Sequence, residues 1–179
     1  MKPSNVLILP GWQDSGPRHW QSLWAERHGY RRVEQHDWVR PLRGDWLTRL
    51  EETVIESDEA TVLVAHSLGC QLVAAWAAHS QNTRRVKGAL MVAPPDTARE
   101  DVAGLLPGWA PELGYKLPFR SVVVASQDDP FCAFGRARQF ATAWGSQFID
   151  YGDSGHINAD SGLASWPEGH VLLQDLMKD

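Results

Sequence analysis

Residues 60–70 read Ala60-Thr61-Val62-Leu63-Val64-Ala65-His66-Ser67-Leu68-Gly69-Cys70. The first half is an apolar, β-branched run of strand length. It breaks at a His-Ser pair and continues through Gln71, Leu72, Val73, Ala74, Ala75, Trp76, Ala77 and Ala78, residues that favour a helix. A buried strand feeding a tight turn and then a helix puts the turn residue at the C-terminal edge of a parallel sheet. That edge is where open α/β sheets hold their chemistry. The turn residue is Ser67. The stretch has the form of a nucleophile elbow, with Ala65 where the G-x-S-x-G pattern has its first glycine.

Working outward, the pattern repeats. Val6-Leu7-Ile8-Leu9 is a short buried strand ending at Pro10-Gly11. The turn-rich segment 11–17 follows, with Asp14 or Ser15 as a helix cap and Pro17 in the first turn. Residues 18–28 then form a helix whose Trp20 and Trp24 face the core. A second strand is expected at 32–35 and a helix at 45–55. Beyond the elbow, strands are expected at 87–93, 121–126 and 148–151, and helices at 134–144 and 167–177, the last with Val171, Leu172, Leu173 and Leu176 as its apolar side. Residues 94–118 are rich in Pro and Gly and lack periodicity, as lids and pocket walls often do. An irregular surface crossover with one helical turn at 99–105 is the plainer reading. Six strands alternating with helices predict one three-layer α/β/α domain around a mostly parallel sheet.

Composition narrows the function classes. The chain has 179 residues, 43% hydrophobic and 22% charged, the profile of a globular domain with a full core. Its net charge of −5 argues against nucleic acid or an anionic membrane as the main partner. No apolar stretch approaches the roughly 18 residues of a bilayer span. The sequence runs straight from Met1 into its first strand without the apolar region of a signal peptide, and it has only two cysteines, Cys70 and Cys132. A cytoplasmic location with both thiols reduced is therefore expected.

Three chemical motifs fall at predicted strand ends: Ser67, the pair Asp128-Asp129, and His156 in Gly155-His156. The order Ser, Asp, His is that of α/β-hydrolases. A serine hydroxyl needs a base to become a nucleophile. Neutral imidazole serves at neutral pH and later returns the proton to the leaving group. A carboxylate on the other ring nitrogen fixes the tautomer and stabilises the imidazolium. The backbone N–H groups of Trp12, after the sharp turn at Gly11, and of Leu68, at a helix N-terminus, are the candidate oxyanion hole. Trp12 and Trp109 are candidate pocket walls. His66, His19 and Cys70 read as packing or hydrogen-bonding residues. No metal-ligand spacing is present and no cofactor is expected; Gly11 to Pro17 lacks the Lys-Ser/Thr of a phosphate loop.

These residues also carry a family resemblance. Leu9-Pro10-Gly11-Trp12, Gly16-Pro17-Arg18-His19-Trp20-Gln21-Ser22-Leu23-Trp24, His66-Ser67-Leu68-Gly69, Ser126-Gln127-Asp128-Asp129-Pro130-Phe131 and Gly155-His156-Ile157-Asn158-Ala159 run through nearly the whole chain. They resemble the small serine-hydrolase family of α/β-hydrolases that includes retinoblastoma-binding protein 9 and the YdeN-type bacterial proteins. The resemblance implies a compact α/β-hydrolase fold lacking the two leading strands of larger members. It implies Ser67 as nucleophile, His156 as base, and Asp129, the aspartate before proline, as the orienting acid, with Asp128 the alternative. The sequence departs from the family pattern at Ala65 and at Phe131-Cys132-Ala133.

Two functions follow as expectations. The first is a hydrolase that cleaves a small ester, thioester or amide through an acyl-enzyme on Ser67. The second is a protein-binding module on the same fold, with a vestigial triad and loop 94–118 as its contact for a protein partner. Ser67 within hydrogen-bond reach of His156 in an intact triad favours the first, and a pocket sealed over Ser67 by tryptophan side chains favours the second. The sequence leaves the oligomeric state open.

Overall fold

A computed structural model describes residues 1–111 and 113–178, side chains included except that of Ser4. Six strands form one sheet: β1 (Val6–Leu9), β2 (Arg31–Arg32), β3 (Thr61–His66), β4 (Val86–Val92), β5 (Arg120–Ala125) and β6 (Gln147–Asp150). Their order is β2-β1-β3-β4-β5-β6 and every pairing is parallel. The helices are α1 (Trp20–His28), α2 (Arg43–Glu56), α3 (Leu68–His79), α4 (Glu100–Ala103), α5 (Phe134–Trp144) and α6 (Pro167–Met177).

Strand alternation sorts the core into two layers. Leu7, Leu9, Leu63, Ala65, Met91 and Val123 point to one face, where Trp46, Leu50 and Val54 of α2, the length of α3, and Phe140 and Trp144 of α5 cover them. Ile8, Val62, Val64, Leu90, Val92 and Val124 point to the other, under Trp20 and Trp24 of α1 and Leu173 and Leu176 of α6. β1 and β3 are buried at every position, so they read as continuous apolar runs rather than alternating ones. In α6 the buried face runs through Gly169, Leu173 and Leu176; Val171, expected among its apolar residues, projects into solvent.

Two local expectations shift and a third holds. β2 is two residues long, because after Val33 N–H donates to Ile8 O the chain turns away from β1. α1 begins two residues late. Its cap is His19, whose Nδ1 accepts from Gln21 N at 3.1 Å, whereas the expected caps serve elsewhere: Asp14 pairs with Arg32 and Ser15 Oγ donates to Gln21 Oε1. In segment 94–118, of which residue 112 lies outside the described residues, α4 supplies the expected short helical piece. Among the described residues, no helix is long and apolar enough to cross a membrane.

The strand order places the site. From β1 the chain moves outward to β2, then returns past β1 to β3. The loops after β1 and β3 therefore diverge and leave a crevice at the sheet's C-terminal edge. Gln21, fully buried, bridges that divergence by donating to Leu9 O at 3.1 Å and Val64 O at 3.0 Å.

Candidate active site

Ser67 ends β3 with φ 54° and ψ −125°, a conformation that costs a non-glycine residue about 1–3 kcal/mol. The surroundings hold it there. Its N–H donates to Val92 O at 2.9 Å, and its carbonyl accepts from Cys70 N at 2.8 Å. Gly69 is the enabling residue, since a Cβ there would lie 2.4 Å from Leu9 O. α3 can cross so close to β1 only without that carbon. Ala65, in place of the pattern's first glycine, is accommodated in the core at 0% exposure.

The elbow meets the first loop at Gly11. A Cβ on Gly11 would stand 2.7 Å from Ser67 Cβ and 3.2 Å from Leu68 N. The Gly11–Trp12 peptide thus lies beside the first peptide of α3. Leu68 N–H is one of the helix-initial donors without an intrahelical acceptor. Trp12 occupies the second position of a turn closed by Asp14 N–H to Gly11 O at 3.1 Å, so its own N–H takes no part in that turn's hydrogen bond. Gln13 N–H to Trp38 O at 2.9 Å and Trp12 Nε1–H to Val39 O at 2.8 Å fix the loop.

The loop after β6 brings His156 across. Its Nε2 lies 2.8 Å from Ser67 Oγ, and its Nδ1 lies 2.9 Å from both carboxylate oxygens of Asp129. The two side chains are 9% and 4% exposed, so the pair is shielded from water. Asp129 also accepts from Phe131 N at 2.9 Å. With Nδ1–H donating to Asp129, Nε2 is left to accept from the serine hydroxyl.

Asp128 does not approach His156 Nδ1 in this arrangement. Its Oδ1 accepts from Ser126 Oγ at 2.6 Å and from Gly155 N at 2.8 Å, while Ser154 N donates to Ser126 Oγ at 2.8 Å. These bonds clamp the acid loop to the base loop and hold the Asp128 carboxyl below the usual carboxylate range. His66 Nε2–H donates to His156 O at 2.8 Å, which steadies His156 through its backbone. Burial, then the neighbouring His19 and His156, pushes the His66 pKa well down and keeps its ring neutral. Both thiols are buried. Burial holds Cys70 protonated, and burial followed by Asp129 and Asp96 raises Cys132 to about 12.

Above Ser67 lies a cavity of about 330 Å³, lined among others by Trp12, His19, Pro95, Leu106, Phe131 and Asn158. Trp12 is among the lining residues. Trp109 is not: its ring is buried against Trp46 at 5.5 Å between centroids, and its Nε1–H donates to Pro41 O at 2.8 Å. After Leu106 the chain turns back onto α2, and that move takes Trp109 into the core. The wall residues that sequence reading passed over are Val102, Leu105 and Leu106. Their i, i+3, i+4 spacing was a usable signal. Phe131, in the sequence both the end of the Ser126–Phe131 match and the start of the departure from pattern, has its ring centroid 4.6 Å from that of His156.

An open parallel sheet with a strained serine after its third strand, and an imidazole and carboxylate aligned on it, defines a class, and the family comparison gives the same one: the profile of the serine hydrolase family matches residues 6–175. The chain belongs to that family. It is similar to the protein named hydrolase YdeN of Bacillus subtilis (strain 168), 25% identical over 177 residues, or 94% of this chain and 93% of that one. Among solved structures it is similar to a YdeN-like hydrolase from Pectobacterium atrosepticum, 27% identical with a TM-score of 0.84 over 96% of this chain and 89% of the other. The esterase domain of a Rhodothermus marinus protein shares the fold at 15% identity, with a TM-score of 0.69 over 96% and 85% of the two chains.

Proposed function

We propose that the chain is an esterase-like serine hydrolase acting on a small ester, thioester or amide, with Ser67 as nucleophile, His156 as base and Asp129 as orienting acid. The observation that carries this reading is the continuous line Ser67 Oγ–His156 Nε2, 2.8 Å, and His156 Nδ1–Asp129, 2.9 Å. Ser67 Oγ attacks the carbonyl carbon while its proton passes to His156 Nε2. The oxyanion forms between the N–H groups of Trp12 and Leu68, a contribution worth about 10²–10³-fold in rate per donor. Collapse breaks the bond to the leaving group, which takes the proton from His156. Water then repeats the sequence: its proton goes to His156, its oxygen bonds to the acyl carbon, and Ser67 leaves with the proton returned.

The rival, a protein-docking module with an idle triad, expects Ser67 to be sealed. Ser67 instead is half-buried and lines the cavity, which supports the enzyme. The test is covalent labelling with a fluorophosphonate probe. The wild type is expected to label and Ser67→Ala to lose the label; unchanged labelling of the variant removes Ser67 from the nucleophile's role.

A further inference from the structure

The cavity over Ser67 has two unlike sides, and the sheet order sets them apart. On one side of β3 lie the segments after β4 and β5, which line it with Pro95, Val102, Leu105, Leu106 and Phe131. On the other side lies the loop after β1, which lines it with Gln13, Asp14 and His19 beside the ring-bearing Trp12. Asn158 joins this polar side, because Trp20 Nε1–H donates to Ile157 O at 2.8 Å and ties that segment to α1. Among the described residues no Lys or Arg lines the cavity, and Asp14, which does, has its carboxylate paired with Arg32. An anionic substrate finds no counter-charge there.

His19 adds a specific demand. The residue is 5% exposed, and its Nδ1 caps α1 by accepting from Gln21 N. The ring hydrogen is therefore on Nε2, which is buried without an acceptor. Buried donors are nearly always paired, so one left over in a cavity wall points to a missing acceptor. Burial, aided by His156 and Arg32, lowers the His19 pKa to about 3, so the donor is an uncharged imidazole N–H at neutral pH. The leaving oxygen takes its proton from His156, whose chain runs on into Asn158, so the leaving alcohol belongs on this polar side.

We propose that the substrate is an uncharged ester of an apolar acyl chain with a hydroxylated alcohol, the chain lying against Val102, Leu105 and Leu106 and an alcohol oxygen accepting from His19 Nε2. This rests on the serine-hydrolase reading above. The experiment compares kcat/KM for glyceryl monobutyrate, ethyl butyrate, n-butyl glycerate with its ends reversed, and monobutyl succinate with a carboxylate on its acyl end. Glyceryl monobutyrate is expected to exceed each of the others about tenfold or more, the scale of one added hydrogen bond. His19→Asn keeps an acceptor to cap α1 but loses the reach of Nε2, and is expected to shrink the glyceryl-to-ethyl ratio to about threefold or less, the cost of that same hydrogen bond. Leu105→Ser, at an exposed wall position, is expected to lower the rate on glyceryl octanoate relative to glyceryl acetate.

Equal rates on the glyceryl and ethyl esters, a ratio unmoved by His19→Asn, or equal turnover of the reversed or anionic ester each overturns the proposal. If His19→Asn does not fold, the wild-type series and Leu105→Ser decide alone. A chain that labels at Ser67 but hydrolyses none of these esters overturns this proposal and leaves the hydrolase reading intact. A chain that does not label at all overturns the hydrolase reading itself.

Discussion

Adjacent aspartates with opposite requirements give the sharpest test of the site. Asp129 meets His156 Nδ1 with both oxygens at 2.9 Å and is 4% exposed on its side chain. Asparagine there has one oxygen and one NH₂ group. When the NH₂ faces the ring, Nδ1 must become the acceptor and Nε2 must carry the hydrogen, so His156 no longer takes the proton of Ser67. The expected loss in kcat for Asp129→Asn is about 10³–10⁴-fold, or about 4–5.5 kcal/mol on the barrier. Asp128 uses a single oxygen, Oδ1, to accept from two uncharged donors, Ser126 Oγ and Gly155 N. Asparagine supplies the same oxygen, so Asp128→Asn is expected to stay within about threefold of wild type, since both neutral hydrogen bonds persist. Asp128→Ala releases the clamp between the two loops and is expected to cost about tenfold in kcat, the order of the hydrogen bonds removed. The assay is steady-state hydrolysis of p-nitrophenyl butyrate by the three variants, with circular dichroism to verify folding. Asp128→Asn falling as far as Asp129→Asn would refute the division of roles.

Other outcomes follow from the same geometry. Gly69→Ala drives a carbon to 2.4 Å from Leu9 O, a backbone atom that cannot swing aside. It is expected to cost about 3 kcal/mol or more, read as a lowered urea midpoint; a midpoint unchanged from wild type would mean α3 is not pinned to β1. Stability is also expected to fall with acidification. His19 is held near pKa 3 in the folded chain against 6.5 when unfolded, and His66 is shifted the same way. Between those values the unfolded chain binds more protons, so stability present above pH 6.5 drains as pH falls toward 3. At pH 5 His19 alone is expected to cost about 2 kcal/mol. A melting temperature flat from pH 7 to pH 5 contradicts a neutral buried His19.

Much of this was legible in the residues. Val62, Val64 and the run Val122-Val123-Val124 announce buried parallel strands, because strands covered on both faces carry no polar alternation. Ser67 was legible because a strand-to-helix turn is a local event. Trp109 was misjudged for the converse reason: whether a tryptophan in an aperiodic loop turns to a cavity or to the core depends on α2, more than fifty residues earlier in the chain. The His19 cap, the Asp128 clamp and the bond from His66 to His156 O join segments with no shared periodicity. Asp128 and Asp129 are indistinguishable by composition; only the loop geometry that sends one to Gly155 and the other to His156 separates them.

The tie between α1 and the base loop has a consequence for how the protein is made. Trp20 donates to Ile157 O and Trp24 to Ser165 O, contacts spanning 137 and 141 residues. Ser67 precedes its partner His156 by 89 residues. During synthesis the elbow and the sheet around it emerge from the ribosome while Ser67 still has no partner for its proton. At about 5–20 residues per second, the interval is several seconds or more. On the proposed mechanism, a nascent or C-terminally truncated chain carries an inert serine, and reactivity switches on when the last segments close over the first helix. A covalent serine probe would then report on completed folding, molecule by molecule, rather than on the mere presence of the polypeptide.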